Sequence, residues 1–224
     1  MNILFIGGNA ALMQHLIAGF SDHKCYVLGR TLPTYLKRYQ GAEFIQRSYG
    51  GEPDLNKSIN LEEPLSVVFC GIQSEPKLVV DLARIDFVKE FSDNVGFSQS
   101  VVSEVLPGMM KNNFGRFIFI GSRISSMGVI GGASYEVIKS SQKGLSRTLA
   151  IEYARYGVTS NVIDIGFLEN GYSEKLKSIA IERLKQRIPQ TTKLDPNEIT
   201  ETIKLILSST SINGTVITVD QGIL

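Results

Sequence analysis

Ser122-Arg-Ile-Ser-Ser-Met-Gly-Val-Ile-Gly-Gly-Ala-Ser-Tyr-Glu-Val-Ile-Lys139 joins two runs of different periodicity, and that change decides the fold. Before it, Arg116-Phe-Ile-Phe-Ile120 is a short β-branched and aromatic run of the kind that makes a buried strand; after it, a helical pattern continues to Tyr156. Ser122 therefore stands at the carboxyl end of a strand. Tyr135 and Lys139 are four apart on a helix, so one side chain lies above the other on one face, near enough for an ammonium to act on a phenol. A hydroxyl, a phenol and an amine placed this way form an acid/base arrangement.

The same alternation of strand and helix extends to both sides. Asn2–Ile6 is a short apolar run, followed by Gly7-Gly8-Asn9 and a helical pattern through Leu12, Leu16, Ile17 and Phe20. Such a strand, turn and helix make either an anion site suited to a pyrophosphate, because the first amides of the helix face the strand end, or a βα turn that needs glycine for backbone reasons only. Cys25–Leu28 is the second strand. Its tip carries Arg30, where an acid would take a ribose 2′-hydroxyl and an arginine suits a 2′-phosphate instead, which leans toward NADP over NAD.

Ala42–Gln46 reads as a third strand, ahead of the turn-rich Gly50–Asp54. Leu65–Ile72 is a continuous apolar run, as expected of a central parallel strand buried on both faces, with Gly71 near its end to admit a ligand to the backbone. Asp81–Asn112 predicts one or two helices across Gly96 and Pro107, with Asn94 in the middle. Ser160–Ile165 is a further strand ended by Gly166-Phe167-Leu168, Pro196 opens a helix through Leu207, and Thr215–Val219 is the last strand. Such βαβ alternation predicts an α/β fold: one Rossmann-like, doubly wound parallel sheet of about seven strands, helices on both faces, in a single domain over residues 1–224. Residues 168–195, charged and helical after a strand's carboxyl end, suit a substrate lid.

Composition narrows the function classes. The 23 basic and 22 acidic residues leave a formal charge of +1 with no basic run, so no nucleic-acid partner is expected. Two cysteines, Cys25 and Cys70, both in apolar surroundings, argue for buried thiols and against a disulfide framework or a metal site. No uninterrupted apolar run approaches about 20 residues, and the first strand begins at once, so no membrane span and a cytoplasmic location are expected.

With these spacings in place, the chain resembles the short-chain dehydrogenase/reductases, most closely the 3-oxoacyl-(acyl carrier protein) reductase type. The likeness spans nearly the whole chain and is strongest from Asn94 through Gly115–Ser122 and Tyr135-x-x-x-Lys139 to Asn161-Val-Ile-Asp-Ile-Gly166. It implies hydride transfer between NADP, or NAD, and a small-molecule carbonyl or secondary alcohol. By the resemblance, Tyr135 is the general acid or base, with its phenol pKa lowered by Lys139, and Ser122 bonds the substrate carbonyl. Lys139 also holds the nicotinamide ribose, and Asn94 holds a water-linked proton relay. The cofactor is expected at Gly7, Asn9, Ala10, Ala11, Leu12, Arg30, Cys70, Gly71, Tyr135, Lys139, Gly166, Leu168 and Asn170, and the assembly is expected to be a homotetramer or homodimer.

The chain departs from the family pattern in its first turn. Where the family has Thr-Gly-x-x-x-Gly-x-Gly, this sequence has Ile6-Gly-Gly-Asn-Ala-Ala-Leu-Met13, and Met13 is long enough to crowd the helix start or the pyrophosphate. The family's Asn-Asn-Ala-Gly is Val68-Phe-Cys-Gly71. These departures favour a second reading, a non-catalytic scaffold or regulatory subunit that binds nucleotide weakly.

Overall fold

Strands β1 (Asn2–Ile6), β2 (Lys24–Gly29), β3 (Ala42–Gln46), β4 (Leu65–Phe69), β5 (Gly115–Ser122), β6 (Val158–Ile165) and β7 (Val216–Val219) form one sheet in the order β3-β2-β1-β4-β5-β6-β7. All neighbours are parallel. The computed structural model describes residues 1–8, 10–39, 41–46, 55–168, 171–176, 178–190 and 193–223; the turn-rich Gly50–Asp54 and residues Asn9 and Asn170 lie outside them.

The helices are α1 (Met13–Gly19), α2 (Arg84–Phe91), α3 (Phe97–Lys111), α4 (Ile124–Met127), α5 (Ala133–Glu152), α6 (Ser178–Lys185) and α7 (Pro196–Ser208). Successive strand residues serve opposite faces, as a period of two requires. Leu4, Ile6, Tyr26, Val67, Phe69, Phe117 and Phe119 pack toward Val101, Val105 and Met109 of α3 and Leu149 of α5. Ile3, Phe5, Val27, Val68, Ile118 and Ile163 pack toward Met13, Leu16 and Ile17 of α1 and Ile199, Ile203 and Ile206 of α7. β1, β4 and β5 are buried along their whole length, which is why they read as unbroken apolar runs.

One strand end differs from expectation. The apolar run Leu65–Ile72 leaves the sheet after Phe69, and Cys70 to Ile72 turn over the end of β1. There Gly71 comes so close to Gly7 that a Cβ on Gly7 would lie 2.5 Å from the Gly71 amide nitrogen. Across 81–112, where one or two helices are expected, there are two, joined by a π-helical turn, Ser92–Gly96, with Asn94 buried in it. A π turn of this kind shifts the helical register by one residue, and Asn94 explains why it is worth keeping. Pro107 sits inside α3.

No described helix is long and apolar enough to cross a membrane.

Candidate active site

The strand order reverses between β1 and β4, and at their carboxyl ends the outgoing loops diverge to opposite faces of the sheet. That divergence opens a crevice. Here it is a cleft of about 590 Å³, bounded by Gly7, Gly8, Ala10, Ala11 and Leu12 after β1, Arg30 after β2, Cys70 to Glu75 after β4, Ser122 at the end of β5, and Gly166 to Leu168 after β6. Its floor is two glycines in contact. Gly7 has φ +97° and a Cβ on Gly71 would stand 2.9 Å from Gly7 Cα, so neither position has room for a side chain and the backbone itself is exposed to whatever occupies the cleft.

Ser122, Tyr135 and Lys139 meet in this cleft. β5 ends in Ser122, and α5 begins at Ala133, so Tyr135 lies in its first turn and Lys139 in the next, on the face that is buried against the sheet. Ser122 and Tyr135 are hydrogen-bonded to each other. Lys139 Nζ donates to the Ile120 carbonyl at 2.6 Å and stands 6.0 Å from the centre of the Tyr135 ring.

The expected lowering of the Tyr135 phenol by Lys139 is not what this arrangement gives in the protein alone. Burial raises the phenol above its ordinary value, the Ser122 bond partly offsets this, and the Asp164 carboxylate adds to the rise. Lys139 is moved the other way: burial brings it from 10.5 down to about 8, against smaller opposing effects of Cys70 and Asp164. The Cys70 thiol at the cleft floor is pushed up to about 12, again by burial. Desolvation therefore outweighs the Tyr135–Lys139 attraction. The result is a neutral phenol beside an amine able to give up its proton near neutrality.

Asn94 is close to this group in sequence logic but does not line the cleft. Its Oδ1 accepts from the Gln73 amide at 2.7 Å, and its Nδ2 donates to the Gln73 carbonyl at 2.8 Å and the Glu90 carbonyl at 2.7 Å. The side chain clamps the segment leaving β4 to the π turn. Its own carbonyl accepts from Ser98 Oγ at 2.8 Å. Asn94 thus acts on the site through Gln73, which does line it.

The segment after β6 folds back over Tyr135. Tyr172, in the short 3-10 turn Gly171–Lys175, stacks on the Tyr135 ring with centroids 4.0 Å apart and planes 22° from parallel. Its hydroxyl donates to the Gly131 carbonyl at 3.5 Å. Phe167, Leu176, Ala180 and Leu184 complete a small apolar cluster around Tyr135, and Lys175 pairs with Glu75 across the cleft mouth.

Of the expected cofactor positions, Gly7, Ala10, Ala11, Leu12, Arg30, Cys70, Gly71, Tyr135, Lys139, Gly166 and Leu168 all border the cleft. Asn9 and Asn170 lie outside the described residues. Met13 corrects the sequence reading: it is fully buried, packed with Leu16, Ile17 and Phe5 in the core, and stays out of the cleft. A side chain on α1 points toward the sheet at this position, so its length is spent on packing rather than on the anion site. Sequence reasoning missed Gln73, Glu75 and Phe97 on the cleft wall, the Tyr172 stack, and Asp164 below Tyr135. Only Asp164 carried a signal, the one charged residue in a buried strand.

A nicotinamide dinucleotide fits what this cleft offers. Two side-chain-free backbone segments meet at its floor, small residues continue along its β1 wall, an arginine stands at one end and an amine with a phenol at the other.

Residues 66–224 match a family model described as enoyl-(acyl carrier protein) reductase. Among curated proteins, the 3-oxoacyl-(acyl-carrier-protein) reductase of Rickettsia felis is 27% identical over 229 residues, covering 98% of this chain and 92% of that protein. The 3-oxoacyl-(acyl-carrier-protein) reductase MabA of Mycobacterium tuberculosis is 30% identical over 138 residues, covering 61% of this chain and 56% of its own. Among solved structures, a short-chain dehydrogenase/reductase-family oxidoreductase from Burkholderia thailandensis superposes with a TM-score of 0.86 at 21% identity, covering 100% of this chain and 92% of that one. A short-chain type dehydrogenase/reductase from Mycobacterium ulcerans gives 0.86 at 18% identity, covering 99% and 88%.

Proposed function

The chain belongs to the short-chain dehydrogenase/reductase family, and from that premise we propose that it reduces a carbonyl to a secondary alcohol, or runs the reverse reaction, with NADP as the favoured dinucleotide. The observation that carries this is the meeting of Ser122, Tyr135 and Lys139 beside a glycine floor at the sheet's switch point. When bound, the reduced dinucleotide supplies the hydride. Gly7, Ala10, Ala11 and Leu12 would hold its phosphates, Arg30 the 2′-phosphate, Lys139 the nicotinamide ribose, and Gly166 and Leu168 the nicotinamide end. NADP over NAD rests on Arg30 standing at the β2 tip.

The rest of the chemistry belongs to this chain. Ser122 and Tyr135, already bonded to each other, present two hydroxyls to one carbonyl oxygen and polarise it. Tyr135 then gives its proton to the oxygen as negative charge develops there. Its raised pKa keeps the proton on the phenol until that charge appears, the condition for a general acid. Lys139 stabilises the phenolate left behind. Closure of residues 168–195, with Tyr172 over Tyr135, excludes water from that proton transfer. In this reading the segment is a lid that must lift for substrate to reach Tyr135.

The names of the relatives make a 3-oxoacyl thioester the first substrate to try. The test is whether the purified protein binds NADPH and consumes it only when a 3-oxoacyl thioester or another carbonyl compound is present. No detectable binding of NADPH or NADH at millimolar concentration would overturn the reading. The second reading, a scaffold without catalysis, draws on Met13 and on Val68-Phe-Cys-Gly71 in place of the family's asparagines, and the burial of Met13 removes the first of these grounds.

The reading extends to assembly and setting. Ile85 and Val88 on α2, and Val80 just before it, are 75%, 52% and 87% exposed, and Val137 on α5 is 40% exposed. Apolar surface of this extent supports a homotetramer or homodimer through these helices. Two free thiols, Cys25 and Cys70, support a reducing, cytoplasmic setting.

A further inference from the structure

Lys143 and Asp164 form an ion pair beneath the site that none of the chemistry above uses. Asp164 lies on β6 directly opposite Gly121 of β5, the residue before Ser122. Lys143 lies on α5, one turn beyond Lys139 and two beyond Tyr135, on the same helix face. Its Nζ donates to Asp164 Oδ2 at 2.6 Å, with the two side chains 20% and 5% exposed. Asp164 Oδ1 accepts no hydrogen bond among the described residues and lies against the β5 backbone: a Cβ on Gly121 would stand 2.0 Å from it. Gly121 is therefore the glycine that makes room for a carboxylate next to the strand end bearing Ser122.

Stability alone gives little reason for such a pair, because a buried ion pair gains little over apolar residues of the same volume. Location gives a better one. Among the described residues, Asp164 is the carboxylate that acts on Tyr135, and it acts on Lys139 as well, where Lys143 opposes it. The other groups facing Tyr135 and Lys139 among the described residues are Ser122 from β5, Cys70 after β4, Tyr172 from the segment after β6, and each other along α5; Glu75, Glu90 and Glu136 act on Tyr172 behind its stacked ring. None of those facing Tyr135 and Lys139 directly carries a fixed negative charge. Intact, the pair sets the Lys143 ammonium against the Asp164 carboxylate, offsetting it at Lys139 while the carboxylate still raises Tyr135; split, it presents a bare carboxylate or a bare ammonium.

We propose that Lys143 and Asp164 are positioning residues that set the pH range over which Tyr135 exchanges its proton, through their opposed charges under the turn from Tyr135 to Lys139. The proposal rests on the reading of Tyr135 as the general acid and base. It assigns the pair no contact with substrate or cofactor.

The two single substitutions act in opposite senses. Lys143→Met leaves the carboxylate unbalanced and makes the phenolate harder to form; Asp164→Asn leaves the ammonium and makes it easier. In the alcohol-oxidising direction the rate rises with pH as Tyr135 loses its proton. The rising limb of kcat is expected to move to higher pH in Lys143→Met and to lower pH in Asp164→Asn. At a fixed pH on the limb, the two rates then differ from the wild type severalfold in opposite directions. The double variant Lys143→Met/Asp164→Asn returns close to the wild-type limb. A loss of structure would lower both rates without moving the limbs apart.

Lys143→Gln is the second variant, since it removes the charge yet keeps a hydrogen-bond donor for Asp164, and it is expected to move the limb in the same sense as Lys143→Met. Limbs unmoved in both singles, or moved in the same sense, overturn the proposal. The same titration followed by tyrosinate absorbance, with Tyr135→Phe subtracted, reads the phenol without turnover. If the wild type shows no activity with any carbonyl or alcohol, the functional reading fails while the absorbance titration still decides the pair.

Discussion

Tyr135 and Lys139 are a pair whose electrostatics depend on burial more than on each other. The phenol is raised and the amine is lowered, both chiefly by desolvation. Lys139 therefore has a folded-state pKa of about 8 against an ordinary 10.5. Between those values the unfolded chain holds a proton that the native chain has released, so stability rises with pH across that window; below about 8 both states are protonated and the cost of burying the ammonium is fully present. The prediction is that the cofactor-free wild type gains stability relative to Lys139→Met between about pH 8 and about pH 9.5, read from urea unfolding at each pH. A stability difference that does not change over this range would contradict it. Cys70, at about 12, keeps its proton throughout and leaves the comparison clean. The meeting of Ser122, Tyr135 and Lys139 was legible in the sequence because their spacings are set by one strand and one helix. The direction of the Tyr135 shift was not, since a sequence shows which charges are near but not how little water reaches them. Met13 failed for a related reason: length was visible and direction was not.

At the scale of the element, Asn94 shows how a poor helix former can be the right residue. Three hydrogen bonds from its side chain hold Gln73 and Glu90, and the π turn is what brings that side chain around to face the end of β4. Asn94→Ala would leave the Gln73 amide and carbonyl without their partners in a part-buried place. A loss of about 2–4 kcal/mol is expected from chemical denaturation, together with a wider cleft wall at Gln73. A loss under about 0.5 kcal/mol would mean that solvent replaces these bonds and that Asn94 serves the site some other way. The sequence placed Asn94 in a helix and suggested two helices, but the turn between them is set by a partner 21 residues earlier in the chain. Nothing local records that. The strands were read with ends correct to within about three residues, the largest error being Leu65–Ile72, because burial on both faces writes itself into composition. The end at Phe69 was hidden by Cys70 and Ile72, apolar residues that belong to the cleft and not to the sheet.

At the scale of the molecule, the order β3-β2-β1-β4-β5-β6-β7 puts the glycine floor and the acid/base group at carboxyl ends of adjacent strands, so that one cleft holds both. Helix and strand alternation was enough to anticipate a doubly wound parallel sheet of about seven strands; the order of the strands comes from the structure. The exposure of the outer face of α2 was not legible, because Ile85 and Val88 read in sequence like any other helix core; the proposed assembly would cover them. Replacing both with glutamate is expected to shift the protein toward monomer in sedimentation velocity, and an unchanged mass would place the interface elsewhere. The account as a whole stands on Tyr135 passing a proton within a dinucleotide cleft. The most direct measurement is NADPH affinity and carbonyl-dependent NADPH oxidation in the wild type and in Tyr135→Phe, side by side. The account predicts that Tyr135→Phe binds NADPH about as tightly as the wild type and loses roughly 10²- to 10⁴-fold in kcat. Equal turnover in the two proteins, or no NADPH binding in either, would contradict it.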